Sequence, residues 1–259
     1  MFKRNRILFG IFAASPLLYY YTIYSSNSFT NMTIEEKIKN ENHLSFYMKE
    51  TRKSQHFPFY YAFKHPNAQV LRFYTPLQEN NRLKFIVKVY PSGLFSNYLI
   101  QADNVEIKGP FYHPEMIECI ESCLKSPQNR LLCISGGTGI LPFIQLQQHY
   151  PQLNIDIVYC GKSNLLDYLP NQSQLNIIHT SSLNLKKCLK SLKPSHYDHL
   201  LVCGPDKFSN YLCGYDNEEH YSLKRLYEQE QNIYSSTLKK QLGGLLKELG
   251  CRSDATIVL

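Results

Sequence analysis

The stretch Leu131–Pro142, LLCISGGTGILP, holds the residues best suited to chemistry in this chain. Leu131 to Ser135 are mostly apolar and read as a buried strand. Gly136, Gly137 and Gly139 follow around Thr138, and then Pro142 opens a helix-like run, FIQLQQHY. A strand that stops at glycines and restarts as a helix leaves unpaired backbone N–H groups at the helix start. Those groups and the helix dipole favour an anion such as a nucleotide pyrophosphate. Glycines let the backbone approach phosphates with no Cβ in the way, and proline suits a first helical turn, where no N–H bond is lost. Pro142 stands where a common dinucleotide fingerprint has its third glycine, so a plain strand–turn–helix corner remains the competing interpretation.

Two spots upstream offer complementary groups. Arg72-Phe73-Tyr74-Thr75-Pro76 sets a guanidinium, a phenol and a hydroxyl at a strand end. Alternation places Arg72 and Tyr74 on one face and Thr75 on the other. Arginine suits phosphate, and tyrosine offers a flat face to an aromatic ring. The second spot runs from Pro91 to Leu99. There a turn led by Gly93 enters a short helix, a second nest for phosphate, to which Ser96 adds a hydroxyl. An ordinary surface strand and an ordinary turn are the alternatives at these two places.

The elements that must position these groups divide in two. From about His43 the runs SFYMKETRK, PFYYAFKH, QVLRFYTPL, RLKFIVKVY and NVEIKGP alternate or are aromatic-rich, with Pro, Asn, Gln and Gly between them. This is the pattern of a small antiparallel β-barrel, assigned to residues 43–114. Residues 115–259 read as an α/β domain with a parallel sheet. The segment from Asp216 to Gln241 is charged and helix-prone, suited to a solvated surface helix or an insertion over the nucleotide site.

At the amino terminus Lys3, Arg4 and Arg6 precede the uncharged run Ile7–Tyr24. Its length is near the short end of the roughly 17–25 residues a spanning helix needs. Tyr19, Tyr20, Tyr21 and Tyr24 cluster at its far end, as in an interfacial belt. Residues 1–24 therefore read as a basic segment and a single membrane anchor, with a cleaved targeting segment as the alternative. Residues 25–42 read as a polar tether, with room for a short helix over 34–39.

Composition narrows the classes. The chain has 259 residues, 43% of them hydrophobic, enough for real cores. A formal net charge of +7 suits an anionic surface or cofactor, but there is no arginine-rich stripe with interleaved aromatics to suggest nucleic acid. Eight cysteines include no CxxC pair. Cys119 and Cys123 share a helix face without a matching histidine pair, and the nine histidines form no HxxxH or HExxH pair. Buried thiols, and no metal site, are the expectation.

In order, RFYTP, FIVKVYPSGLFSNYL, VEIKGP, LLCISGGTGILP, LLVCGPDKF and GGLLKELG resemble the ferredoxin–NADP reductase superfamily, and within it the cytochrome b5 reductase group. AFKHPNAQVLRFYTPL, the short amino-terminal anchor and QLGGLLKELG are similar to the fungal mitochondrial flavoprotein reductases that assist haem attachment to cytochrome c. The resemblance implies FAD as cofactor and NADH or NADPH as donor. It implies that Arg72 contacts the flavin pyrophosphate, Tyr74 lies against the isoalloxazine, and Thr75 bonds its reactive nitrogen edge. Val87, Lys88 and Tyr90 line the cofactor through the following strand. Gly93, Leu94, Phe95 and Ser96 form the pyrophosphate turn. Gly136, Gly137, Thr138 and Gly139 form the nicotinamide nucleotide loop, and Cys203-Gly204-Pro205 the turn whose thiol lies beside the nicotinamide. Thr75 and Cys203 are thus the catalytic candidates.

The resemblance further implies haem or a haem protein as acceptor, with cytochrome c haem lyase and apocytochrome c as partners. It implies a place on the mitochondrial inner membrane with the globular part facing the intermembrane space. A general cytochrome b5 reductase-like enzyme and a flavin-binding assembly factor without NAD(P)H activity are the alternatives. Leu141 stands where relatives have Thr, residues 159–200 are short, and relatives end in an aromatic where Leu259 stands. Lys162, after IDIVYCG, could meet a 2′-phosphate and does not by itself choose between the two donors.

Overall fold

The computed structural model describes residues 29–259 apart from 51–53, 55, 69, 170–175 and 215–241. The expected anchor Ile7–Tyr24 and the segment from Asp216 to Gln241 lie outside the described residues. Among those described, no helix is long and apolar enough to cross a membrane.

The first domain is built from two antiparallel sheets of four strands each. One has the order β1 (Thr30–Thr33), β8 (Asn104–Tyr112), β4 (Phe59–Lys64), β5 (Leu71–Tyr74). The other has the order β2 (Glu35–Lys39), β3 (His43–Lys49), β7 (Arg82–Lys88), β6 (Leu77–Glu79). They enclose an aromatic core of Phe46, Phe59, Tyr61, Phe63 and Phe85. The Phe46 and Phe85 rings stack at 5.4 Å, and Phe63 meets Phe85 edge-on at 4.9 Å. Offset and edge-to-face pairs of this kind add to burial.

Residues 30–39 correct the expected tether. They are strands, and no helix forms over 34–39. Met32 and Ile34 are buried in the aromatic core, while Thr30 pairs with Ile107 and Glu35 with Tyr47. The polar composition is that of strands with one wet face, where only alternate residues need be apolar. The short helix α1 (Leu94–Gln101) follows β7, starting at Gly93.

Helix α2 (Pro114–Lys125) leads into the second domain. Its sheet is parallel throughout, with the order β11 (Ile177–Thr180), β10 (Asn154–Cys160), β9 (Arg130–Gly136), β12 (His199–Cys203), β13 (Thr256–Val258). Both faces are covered, which is why LLCIS is apolar without alternation. Leu131 and Cys133 face α2 and α3 (Leu141–His149). Leu132 and Ile134 face α4 (Leu185–Leu192), α5 (Asp206–Cys213) and α6 (Gly244–Glu248). Strand order reverses between β9 and β12, so a crevice opens at their carboxyl ends, the usual ligand position in such sheets.

Candidate functional site

Three turns converge on the boundary between the domains. The first is the end of β5. Arg72 and Tyr74 share a face, as alternation requires. The Tyr74 ring meets Phe63 edge-on at 5.0 Å and lies 6.2 Å from Phe95. Burial pushes the Tyr74 phenol well above its ordinary range, so it stays neutral. Arg72 is exposed and donates to the carbonyl of its neighbour Leu71 at 2.8 Å. Thr75 is half-buried in the link to β6.

The second is the turn from β7 into α1. Val87 is buried in the core, whereas Lys88 is exposed with its Nζ 4.8 Å above the Tyr90 ring. Gly93 N–H donates to Tyr90 O at 2.9 Å. The Ser96 hydroxyl donates to Gly93 O at 3.2 Å and accepts from Tyr90 N–H at 3.3 Å. Ser96 therefore closes the turn from within. The first bond of α1 is Asn97 N–H to Gly93 O, so the amides of Leu94, Phe95 and Ser96 precede the helical ladder and are free to face an anion. A Cβ on Gly93 would lie 2.6 Å from Ser96 Oγ, which accounts for glycine there.

The third is the glycine turn after β9. Gly137 has φ +55°, a left-handed conformation, and nothing lies within 4 Å of where its Cβ would be. It offers bare backbone to open space. Gly139 has a different reason. A Cβ there would overlap the Cys203 carbonyl oxygen and lie 2.8 Å from Gly204 N. Gly204 in turn lies against Gly136, with Phe208 beneath both: Cβ atoms on Gly136 and Gly204 would come within 2.9 and 2.7 Å of its ring. The two strand ends at the crevice are thus fused backbone to backbone. Cys203 is half-buried beside Gly139, and burial pushes its thiol up to about 12. Thr138 is half-buried, and its carbonyl accepts from Leu141 N–H. Pro205 is exposed ahead of α5.

Residues not singled out from the sequence hold the domains together here. Gln145 of α3 is fully buried. Its Oε1 accepts from Phe59 N–H at 2.6 Å, and its Nε2 donates to the carbonyl of Pro76, next to Thr75, at 2.8 Å. Leu77 and Ile86 of the first domain join Ile140 and Leu141 of the second in one core. Gln145 could have been flagged as a polar residue inside an apolar helical run. Phe208 carried no local signal. Leu141 is buried in that core and supplies no hydroxyl.

The arrangement fits a dinucleotide flavin. Arg72 and the α1 amides offer anion contacts, Tyr74 a ring face, Thr75 a hydroxyl, and the bare Gly137 turn a place for a second nucleotide. The sheets and crevice have the arrangement of the ferredoxin–NADP reductase fold. Residues 39–115 match the oxidoreductase FAD-binding domain. The chain is 34% identical over 167 residues to an uncharacterized FAD-binding protein of Schizosaccharomyces pombe, covering 58% of each. It is 27% identical over 224 residues to NADH-cytochrome b5 reductase 2-A of Vanderwaltozyma polyspora, covering 72% of this chain and 66% of that one. The matches thus span less than two thirds of these relatives' length.

Among solved structures, flavohemoglobin from Malassezia yamatoensis with bound FAD and haem superposes with a TM-score of 0.57 at 13% identity, over 93% of this chain and 62% of that one. Ferredoxin-NADP+ reductase from Plasmodium falciparum gives 0.51 at 16%, over 69% and 86%. At such identities the likeness is one of fold.

Proposed function

We propose that the protein is an FAD-dependent NAD(P)H oxidoreductase that passes electrons to haem iron. The observation that carries the reading is the fusion of the Gly136–Gly139 turn with Cys203-Gly204, against a domain boundary whose other side carries Tyr74 and Thr75. FAD, when bound, accepts two electrons with a proton and releases electrons singly. The chain's own residues do the rest. Arg72 and the amides of Leu94, Phe95 and Ser96 hold the pyrophosphate, and Tyr74 and Thr75 orient the ring system. Gly137 and Thr138 receive the donor nucleotide. Cys203, kept neutral by burial, borders the donor's ring as an uncharged wall rather than a nucleophile.

The finer reading is a protein anchored by Ile7–Tyr24 in the mitochondrial inner membrane and facing the intermembrane space. There it keeps haem reduced for attachment to apocytochrome c beside cytochrome c haem lyase. Its support is the resemblance of AFKHPNAQVLRFYTPL and QLGGLLKELG together with the basic amino terminus.

The test is an anaerobic absorption spectrum of the purified full-length chain, before and after NADH or NADPH. A flavin band that bleaches establishes the reductase and ranks the donors. A flavin band that persists with both donors leaves the FAD site and overturns the enzyme, favouring an assembly factor in which Leu141 marks a lost catalytic contact. Subsequent oxidation by ferric haem, faster than by cytochrome b5, is the result expected for the acceptor.

A further inference from the structure

Cys119 and Cys123 lie one turn apart on α2, and the fold lays that turn over the first residue of β12, His199. The two sulfurs and a ring nitrogen of His199 all lie within 4.8 Å of one another. Cys119 and Cys123 are 5% and 1% exposed, and His199 is half-buried. The sequence gives these cysteines no histidine partner nearby. The partner arrives because β12 pairs with β9, with His199 opposite Leu131 at the amino end of the sheet. The crevice is at the other end of the same strand. Along β12 His199 is about 13 Å from Cys203, so the cluster is separate from the site described above.

We propose that Cys119, Cys123 and His199 bind one Zn2+ ion as a structural clip between α2 and β12, with a fourth position left to water. Two thiolates and an imidazole are a soft donor set that selects thiophilic ions over Mg2+ or Ca2+. With a dication the set is neutral, which a buried site requires. Cu+ would leave one net negative charge on the same ligands, and the Asp198 carboxylate, close enough to act on both Cys123 and His199, adds a negative charge beside either ion and so favours the dication. Tetrahedral zinc needs donors about 3.3–3.8 Å apart, given bonds of about 2.0–2.3 Å. The observed spacing meets this with side-chain adjustments of about 1 Å. Cys119 and His199 both turn hydrogen-bonding groups toward Cys123. The ion would tie the helix leaving the first domain to the strand whose far end carries Cys203.

The experiment is a titration of the full-length, metal-free protein with Co2+, read in the ligand-field bands to the red of the flavin. Thiolate-bound tetrahedral cobalt saturating at one ion per chain, and displaced by Zn2+, is the expected result. Zn2+ should also raise the melting temperature, because it binds only the folded chain. Cys123→Ser and His199→Asn should each weaken binding by more than about 100-fold, beyond the cost of losing an outer-shell partner. Cys188→Ser and Cys251→Ser should leave binding unchanged. Bound flavin reports that each variant folds. If the first two variants do not fold, the wild-type protein decides alone. Absence of thiolate–cobalt bands, an unchanged melting temperature with Zn2+, or binding of Cu+ alone would each overturn the zinc assignment.

Discussion

Gly137 and Gly139 sit two residues apart and are glycine for different reasons, and mutation should separate them. Gly139→Ala drives a methyl into the backbone of Cys203 and Gly204, which has no flexible end to give way. Overpacking of this kind costs about 1–3 kcal/mol, and the displaced turn should also abolish reduction by NAD(P)H. Gly137→Ala meets open space but must hold φ +55°, at about 1–2 kcal/mol. It should lower the midpoint of urea unfolding modestly and mainly weaken the donor nucleotide, raising KM. Arg72 is exposed and bonded to its own neighbour's carbonyl. Arg72→Ala should therefore leave folding intact while FAD dissociates about tenfold more readily, the worth of one charge-assisted hydrogen bond. Flavin retained on gel filtration measures it. Cys203, with its thiol at about 12, should add no inflection to the rate between roughly pH 6 and 9. A step there that vanishes in Cys203→Ala would contradict its neutral role.

Among the elements, α3 does most to join the domains. Gln145→Leu removes both bonds of a fully buried amide and leaves Phe59 N–H and Pro76 C=O without them. Each stranded polar group costs about 1–3 kcal/mol, so equilibrium unfolding should show a loss of about 2–6 kcal/mol. The end of α3 also makes the fold sensitive to acid. His149 stacks on Phe57 with ring centroids 3.3 Å apart, and burial holds its pKa below the ordinary 6.5. As pH falls through 6.5 the unfolded chain takes up a proton that the folded one refuses, so stability drops until the folded value is reached. His43 works in the same direction, through burial and then the nearby Lys88 and Lys162 charges. His149→Phe should therefore lose less melting temperature than the parent between about pH 7 and 5.5.

For the molecule as a whole, the basic segment and the run Ile7–Tyr24 lead to an expectation about partition. The full-length chain should resist alkaline extraction from membranes, and its release into the soluble fraction would dismiss the anchor. The broad organisation follows from the sequence because it rests on local rules. LLCIS is apolar throughout because both faces of its strand are covered, and Pro142 does open a helix. RFY places Arg72 and Tyr74 on one face of β5, and Phe73 on the other packs edge-on against Tyr60. The ordered motifs named the flavoprotein fold without any contact being known.

What the sequence could not supply are pairings between distant residues. Residues 30–39 read as a tether because a strand with one wet face is mostly polar, and only pairing with β8 and β3 makes it a strand. Gly139 looks like a phosphate contact until Cys203 is seen against it. Gln145 is one polar residue in an apolar helix until its two partners appear. Cys119 and Cys123 lack a histidine until β12 is laid beside β9. Local sequence determines which backbone each segment prefers. Only the closing of the sheets determines which groups, far apart along the chain, come within a few ångströms of one another, and chemistry depends on that proximity.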